Sequence, residues 1–314
     1  MKALLAAALA AWAGLAGAGT WSFAAIGDTP YSDFERAELP RLLDAAADAG
    51  VEFVVHVGDF KHGRSRCDDA VFEDRRRLFD ASRRPFVFVP GDNDWTDCAR
   101  VSNGAYPPLE RLARLRQLFW ADDRSLGRET LALERQSADF PEHARWRRGR
   151  VLFLTLNVPG GDNHRGTADL PPAEFLQRQA ALLDWIGQGF AQARQEKLAG
   201  VVLLMQAEPG FQNFNRGIPR RGYGELLQAL RWAAESFPGP VLLIHGDGHN
   251  HRVDQPLRDS RGRALVNFTR LETYGYPFLG WVKVDVDDDA PALFRFEANP
   301  WPPRPPAWSA GGTR

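Results

Sequence analysis

Cysteine, methionine and tyrosine are scarce in this chain, and neither sign of charge is in excess. Cys67 and Cys98 are its only cysteines, which excludes a disulfide-dense scaffold and leaves the core to hold by packing. With 314 residues, 44% of them hydrophobic and 25% charged, it has the material of an ordinary globular protein. Lys plus Arg total 39 against 40 for Asp plus Glu, a formal net charge of −1. That balance does not ask for nucleic acid, and there is no groove signature of interleaved basic and aromatic residues, so nucleic acid is not the expected partner. After Leu15 no apolar run approaches the ~20 residues of a membrane-spanning helix, so the mature chain is expected to have no such span. Internal repeats and interdomain linkers are absent as well.

The N-terminus carries a pattern of its own. Lys2 precedes an apolar run from Ala3 to Leu15 and then Ala16-Gly17-Ala18, the basic, apolar and small-residue order of an export signal. Residues 1–18 are therefore expected to be a signal peptide, and the protein to be periplasmic or secreted. An oxidising compartment lets a cysteine pair persist as a disulfide. Cys67 and Cys98 each follow a Gly-Asp loop on what should be one rim, so a bridge between them is expected. Metal binding by these thiols is disfavoured, because the neighbouring candidate ligands are hard oxygen donors.

Apolar runs alternate with helical periodicity in the first half of the chain. Strands are expected at Trp21–Ile26, Glu52–Val57 and Phe86–Val89. Helices are expected over about Asp33–Ala49, Asp69–Ala81 and Pro108–Trp120. This βαβαβ order implies parallel strands. Further strands read at Thr130–Gln136, Ala144–Arg147, Val151–Asn157, Val201–Gln206 and Val241–His245, with helices at Ala173–Gln195 and Gly224–Ser236. The stretches Ala264–Thr269, Gly280–Asp285 and Ala292–Glu297 read as antiparallel strands. A domain over residues 19–297 and an extended or disordered Pro-rich tail over 298–314 complete the expectation.

Chemistry-bearing residues cluster just after apolar runs: Gly27-Asp28, Gly58-Asp59, Gly91-Asp92-Asn93-Asp94, Gln206-Ala207-Glu208, and His245-Gly246-Asp247-Gly248-His249-Asn250-His251. Ligands of open α/β sheets bind outside the carboxyl ends of the strands, so these loops should converge on one cation site. Their order and spacing resemble the calcineurin-like metallophosphoesterase family over nearly the whole chain, from Phe23 to about Glu297. The resemblance implies a four-layer α/β/β/α sandwich of two mixed sheets with a metal site at the strand C-terminal ends. It also implies an exported, metal-dependent phosphoester hydrolase that uses a metal-activated water.

In that pattern Asp28 binds the first metal, Asp59 bridges two metals, and Asn93 binds the second. Several positions depart from it. Pro30 stands where a ligand His belongs, Asp94 follows Asn93 where a His assists the leaving group, and Gln206 replaces another ligand His. The last cluster fits in two registers. One makes Asp247 and His249 the ligands, and strand-to-loop distance favours it; the other uses His249 and His251. Oxygen donors in place of imidazoles favour one or two Mn²⁺, Mg²⁺ or Ca²⁺ ions over Zn²⁺, with iron also compatible. Asp94 and His62 are the candidate catalytic groups, Asp94 having the alternative role of orienting Asn93 or a water. Arg252 is a candidate phosphate clamp and Asn157 a candidate pocket residue, while His56 and His245 read as core histidines. The expected substrate is a small-molecule or lipid phosphoester. The missing histidines motivate a different reading, in which the fold binds a ligand or partner without turnover.

Overall fold

The computed structural model describes residues 19–290 and 292–302. The expected signal peptide and the tail from residue 303 onward lie outside the described residues. Two sheets form the centre. The first has the order β12-β11-β1-β2-β3, with β1 (Thr20–Ile26), β2 (Val54–His56), β3 (Phe86–Phe88), β11 (Gly280–Asp287) and β12 (Phe294–Pro300). The second has the order β4-β5-β6-β7-β8-β10-β9. Its strands are β4 (Glu134–Arg135), β5 (Ala144–Arg148), β6 (Val151–Thr155), β7 (Gly200–Leu204), β8 (Val241–His245), β9 (Arg252–Asp254) and β10 (Phe268–Glu272).

Side-chain alternation along the strands builds the layers. In β1, Trp21, Phe23 and Ala25 face the second sheet, where they meet Phe53, Phe153, Leu204 and Ile244. Ala24 and Ile26 face the other way, onto α1 (Asp33–Asp48), α2 (Asp69–Asp80) and α3 (Pro108–Phe119). In β7, Val202 and Leu204 point between the sheets, and Val201 and Leu203 point at α5 (Ala173–Gln195) and α7 (Gly224–Ser236). The period of two thus feeds two cores from each strand, and the result is the expected α/β/β/α sandwich.

Strand direction places the loops. β1, β2 and β3 are parallel neighbours, as are β6, β7, β8 and β10. Their C-terminal loops therefore leave each sheet along one edge. The entry to α1 is fixed locally: Ser32 Oγ accepts the Glu35 N–H at 3.2 Å, and the Glu35 carboxylate accepts the Tyr31 N–H at 2.6 Å. This reciprocal capping holds Tyr31 at the site edge.

Some expectations need correction. The strand expected at Ala264–Thr269 is Phe268–Glu272, and it pairs parallel with β8 and antiparallel only with β9. The short β9 and α6 (Phe211–Asn215) were not anticipated, being too brief for a periodic signal. The tail begins later than expected. β12 runs through Pro300, and Trp301 is tied down by bonds to Leu279 O (2.8 Å) and the Glu38 carboxylate (3.0 Å). Among the described residues no helix is long and apolar enough to cross a membrane.

Cys67 and Cys98 are joined as expected, across a sequence separation of 31, and both are fully buried. The bridge ties the loop after β2 to the loop after β3. Closing a loop of this length is worth about 3–4 kcal/mol in the chain-entropy description. Replacing both cysteines by alanine should lower unfolding stability by about 2–4 kcal/mol in urea titration. An unchanged midpoint would mean that packing alone holds the rim.

Candidate metal centre

The site is assembled from loops of both sheets. Asp28, Asp59, Asp247 and His249 all adopt left-handed backbone, with φ of 51°, 61°, 72° and 56°. Such φ values in residues other than glycine are uncommon and gather at functional sites. The glycines beside them leave room for carboxylates of other loops. A Cβ on Gly91 would overlap Asp59 Oδ1, and one on Gly246 would overlap Asp28 Oδ2. The Gly-Asp repeats therefore encode close approach between loops.

The side chains meet through hydrogen bonds. Asp28 accepts the Asp247 N–H at 3.1 Å and lies 3.3 Å from His249 Nε2. Asp59 accepts the Asn93 N–H at 3.0 Å and the Asn93 Nδ2–H at 2.7 Å. The Tyr31 hydroxyl stands between them, 3.0 Å from Asp59 Oδ2, 3.3 Å from Asp28 Oδ1 and 3.0 Å from Asn93 Nδ2. Gln206 Nε2 donates to Asp59 Oδ2 (3.2 Å) and Asp92 Oδ1 (3.1 Å), while its Oε1 accepts the Gly160 N–H at 2.6 Å. Gly160 opens α4 (Gly160–Asn163), a single turn with left-handed φ at Gly161 and Asp162. A cleft of about 300 Å³ opens over this cluster and is lined by Tyr31, Asp59, His62, Asp92, Asp247 and His249 among others.

The candidates divide as follows. Asp28, Asp59, Asp247 and His249 come together. His251 does not: its Nδ1 faces Glu272 O at 3.0 Å and its ring stacks on Tyr274. The register with Asp247 and His249 is therefore the one this geometry supports. Gln206 is turned with its NH₂ toward two carboxylates and its oxygen toward a backbone N–H, so it braces the carboxylates and does not offer an oxygen to a cation. Asn93 likewise presents its NH₂ to Asp59, and the neighbouring Asp92, which accepts from Gln206 at Oδ1, is the other carboxylate on that side. Asp92 was missed, although it sits in the same Gly-Asp pattern as the others. Tyr31 was missed too, and no pattern in the sequence marks it.

Asp94 is placed as its alternative, supporting role would have it. Its carboxylate accepts the N–H groups of Asp59 (2.9 Å), Phe60 (2.9 Å) and Gly91 (2.7 Å), clamping two loops together from below. Asn157 lies off the site, buried and donating to Glu142 Oε1 at 2.9 Å. Arg252 is paired with Glu272 at 2.7 Å and lines a separate, larger cavity. His62 does reach the cleft rim, stacking edge-on with Tyr31. His56 and His245 are fully buried, and burial pushes their pKa values down to about 4 and about 3, so both are neutral core residues.

Electrostatics decide what the cluster can hold. Among the described residues, no three carboxylate, imidazole or thiolate groups stand ready around one point; phenol and amide groups fill the spaces between them. Yet the negative charge is not compensated. Burial, followed by the charges of Asp92, Asp94, Asp28 and Asp247, drives the Asp59 carboxyl well above the usual range. Burial and the Asp247 charge push Asp92 to about 7, and burial pushes Asp94 to about 7 and Asp247 to about 6. The cations at hand offset this charge only in part: Lys61 is buried beside Asp94 and Asp59, His249 lies against Asp28, and Arg64 and Arg100 line the cleft, Arg100 being paired with Asp97. Carboxylates that repel one another in a low-dielectric site fit a hard divalent cation, with Asp28, Asp59, Asp92, Asp247 and His249 as the residues that would hold it.

The same charges set a pH dependence. The folded, metal-free chain keeps protons on Asp92, Asp94 and Asp247 that the unfolded chain releases near the ordinary aspartate value of 3.8. The stability they contribute is complete below that value and is lost as pH rises through about 6–7. The metal-free protein should therefore melt at a lower temperature at pH 8 than at pH 5. Mn²⁺ or Mg²⁺ should raise the melting temperature at pH 8 far more than at pH 5, where protons compete. Melting that ignores both pH and metal would show that the carboxylates are already balanced.

A sequence profile of the calcineurin-like phosphoesterase family matches residues 22–253. No curated protein sequence matches the chain. The fold is similar to that of a dimetal phosphatase from Danio rerio, with a TM-score of 0.56 and 14% identity, over 89% of this chain and 96% of that one. It is also similar to that of a purple acid phosphatase from yellow lupin seeds, with a TM-score of 0.51 and 11% identity, over 87% of this chain and 50% of that one. At such identities these likenesses speak for the fold, while the family profile speaks for the lineage. The chain belongs to the calcineurin-like phosphoesterase family and is a hydrolase acting on phosphoester bonds.

Proposed function

We propose that the protein is an exported, metal-dependent hydrolase of small-molecule or lipid phosphoesters. The observation that carries this reading is the set of buried, mutually repelling carboxylates at the joined strand ends, which protons neutralise at low pH and a divalent cation would balance at higher pH. A divalent cation held by these residues would supply activation of a water and withdrawal of charge from phosphorus. Its donors are mostly oxygens, which favours Mn²⁺, Mg²⁺ or Ca²⁺ over Zn²⁺, and iron is compatible.

The chain's own residues have separate tasks. Asp28, Asp59, Asp92, Asp247 and His249 hold the cation or cations. Gln206 and Asn93 fix the carboxylate rotamers by N–H donation, and Asp94 fixes the loops that carry them. His62 accepts the Arg64 N–H at Nδ1 (3.0 Å), so its neutral ring carries the proton on Nε2. That N–H is free to bond a leaving-group oxygen at the cleft rim. Export is supported by the N-terminal pattern and by the Cys67–Cys98 bridge, which suits an oxidising compartment such as a periplasm or the exterior.

A specific observation favours a second reading. Gln206, Asn93 and the Tyr31 hydroxyl occupy space between the carboxylates, as suits a member that binds without turnover. The two readings separate on one experiment. The chelated protein should hydrolyse neither aryl phosphate mono- nor diesters, and Mn²⁺ or Mg²⁺ should restore turnover. Asp59→Asn should lower kcat by roughly 10²–10³-fold or more, the scale of a lost electrostatic contact in a transition state. A folded protein that no metal activates would favour the binding role.

A further inference from the structure

Beside the metal cleft lies a cavity of about 710 Å³, within the range of small-molecule sites. Its wall is basic in a chain whose net charge is −1. Arg216, Arg220, Arg252, Arg258 and Arg270 line it, against the carboxylates Glu208 and Asp254. The arginines differ in what they already hold. Arg270 is buried in the floor, bonded to Asp254 and 3.5 Å from Glu208, with its guanidinium over the Phe211 ring. Arg252 is paired with Glu272. Among the described residues, Arg216, Arg220 and Arg258 have no carboxylate within salt-bridge distance. Arg258 donates to Gly262 O at 3.1 Å, which leaves the Arg216 and Arg220 guanidinium groups for the concave wall, suited to planar, bidentate capture of oxyanions.

The cavity and the cleft share a wall. Glu208, which lines the cavity, donates its backbone N–H to Asp247 Oδ2 at 2.8 Å. Arg220 is near enough that its charge is felt at Asp247. A molecule whose phosphorus sits over the metal centre can therefore extend past Asp247 into the arginine cavity. The walls of opposite sign dictate its polarity: an ester phosphate at the carboxylate-held cation, and a further acidic group among the arginines.

We propose that this cavity is a second anion subsite, and that the preferred substrates are phosphoesters carrying an additional phosphate or carboxylate. As a statement about substrates this rests on the hydrolase reading; as a statement about binding it stands alone. Arg216 and Arg220 set the specificity by holding the distal anion and take no part in bond breaking.

The test uses the whole protein in two assays. With Mn²⁺ present, kinetics are compared for 4-nitrophenyl phosphate and for aryl phosphates bearing either a phosphonomethyl or a carboxymethyl arm. The armed substrates should show KM about tenfold lower, and the better of the two arms names the preferred anion. The Arg216→Ala/Arg220→Ala double variant should return the KM of the armed substrates to that of the simple ester, so that the ratio of armed to simple KM rises about tenfold. The double lysine variant should keep part of the preference. In the second assay, chelated protein is titrated calorimetrically with inorganic tripolyphosphate, which should bind the wild type and lose about tenfold in affinity in the double alanine variant. Equal KM for all esters, or a double variant that slows every ester alike, would overturn the subsite. If no ester is turned over at all, the hydrolase reading fails, and the calorimetry still decides: tripolyphosphate binding that depends on Arg216 and Arg220 sustains the anion site, and binding indifferent to them rejects it.

Discussion

Repulsion among buried carboxylates is the constraint to which the rest of this structure answers. Burial already disfavours charge here, and on top of it the charges of Asp92, Asp94, Asp28 and Asp247 raise the proton affinity of Asp59, while that of Asp28 raises the affinity of Asp247. A fold tolerates such a cluster only if it is braced while empty and useful when filled. The bracing is visible in detail. Backbone N–H groups of Asp247, Asn93, Asp59, Phe60 and Gly91 point at carboxylate oxygens. Amide NH₂ groups of Gln206 and Asn93 do the same. The buried Lys61 ammonium, bonded to Ser65 O at 2.9 Å, is near enough that its charge favours the Asp94 carboxylate. Left-handed backbone at four ligand positions is part of the cost, and it persists because the surrounding sheets over-determine it.

That over-determination comes from the interface between the sheets. The first sheet supplies Asp28, Asp59 and Asp92; the second supplies Gln206, Asp247 and His249. Nothing local fixes the distance between these halves. The inter-sheet core does, through Phe23 stacked on Phe53 and both set edge-on to Phe153. A bulky, well-defined aromatic contact suits that task, since interiors are close-packed and transmit displacement. Core residues with no polar atom thus act on the site by holding its two halves in register.

The legible part of this molecule is the part written in short-range pattern. Alternating apolar runs gave the strands, and Gly-Asp pairs after them marked the loops. Two cysteines on adjacent loops marked the bridge. What escaped was direction. Asp92 and Asn93 are neighbours, and only the folded loop shows that the first turns outward to the cleft and the second lies along Asp59. Asp94 carries the same letters as a catalytic acid, yet its oxygens are taken by three backbone N–H groups. Asn157 sits at a strand end as a pocket residue would, but Glu142 claims it from a strand-flanking segment that spacing does not connect. Tyr31 is invisible for a related reason: its place depends on how Ser32 and Glu35 cap a helix. Hydrogen-bond partnership between distant segments is tertiary information, and a single sequence records it weakly.

The two charge fields of the surface also constrain the order of events. An anionic ester meets repulsion in the cleft while the carboxylates stand uncompensated, and attraction once a cation balances them. Because coupling between two ligands is reciprocal, whatever anion occupies the cleft must in turn tighten the hold on the cation. The neighbouring arginines act differently, since their charge is present with or without metal. They can gather an anionic molecule at the rim before the centre is loaded, at a range limited to about a Debye length of 8–10 Å in physiological salt. The proposed subsite would therefore place recognition and chemistry on walls of opposite sign that meet at Asp247, and a bound cation would make the acidic wall receptive to the same molecule that the basic wall attracts.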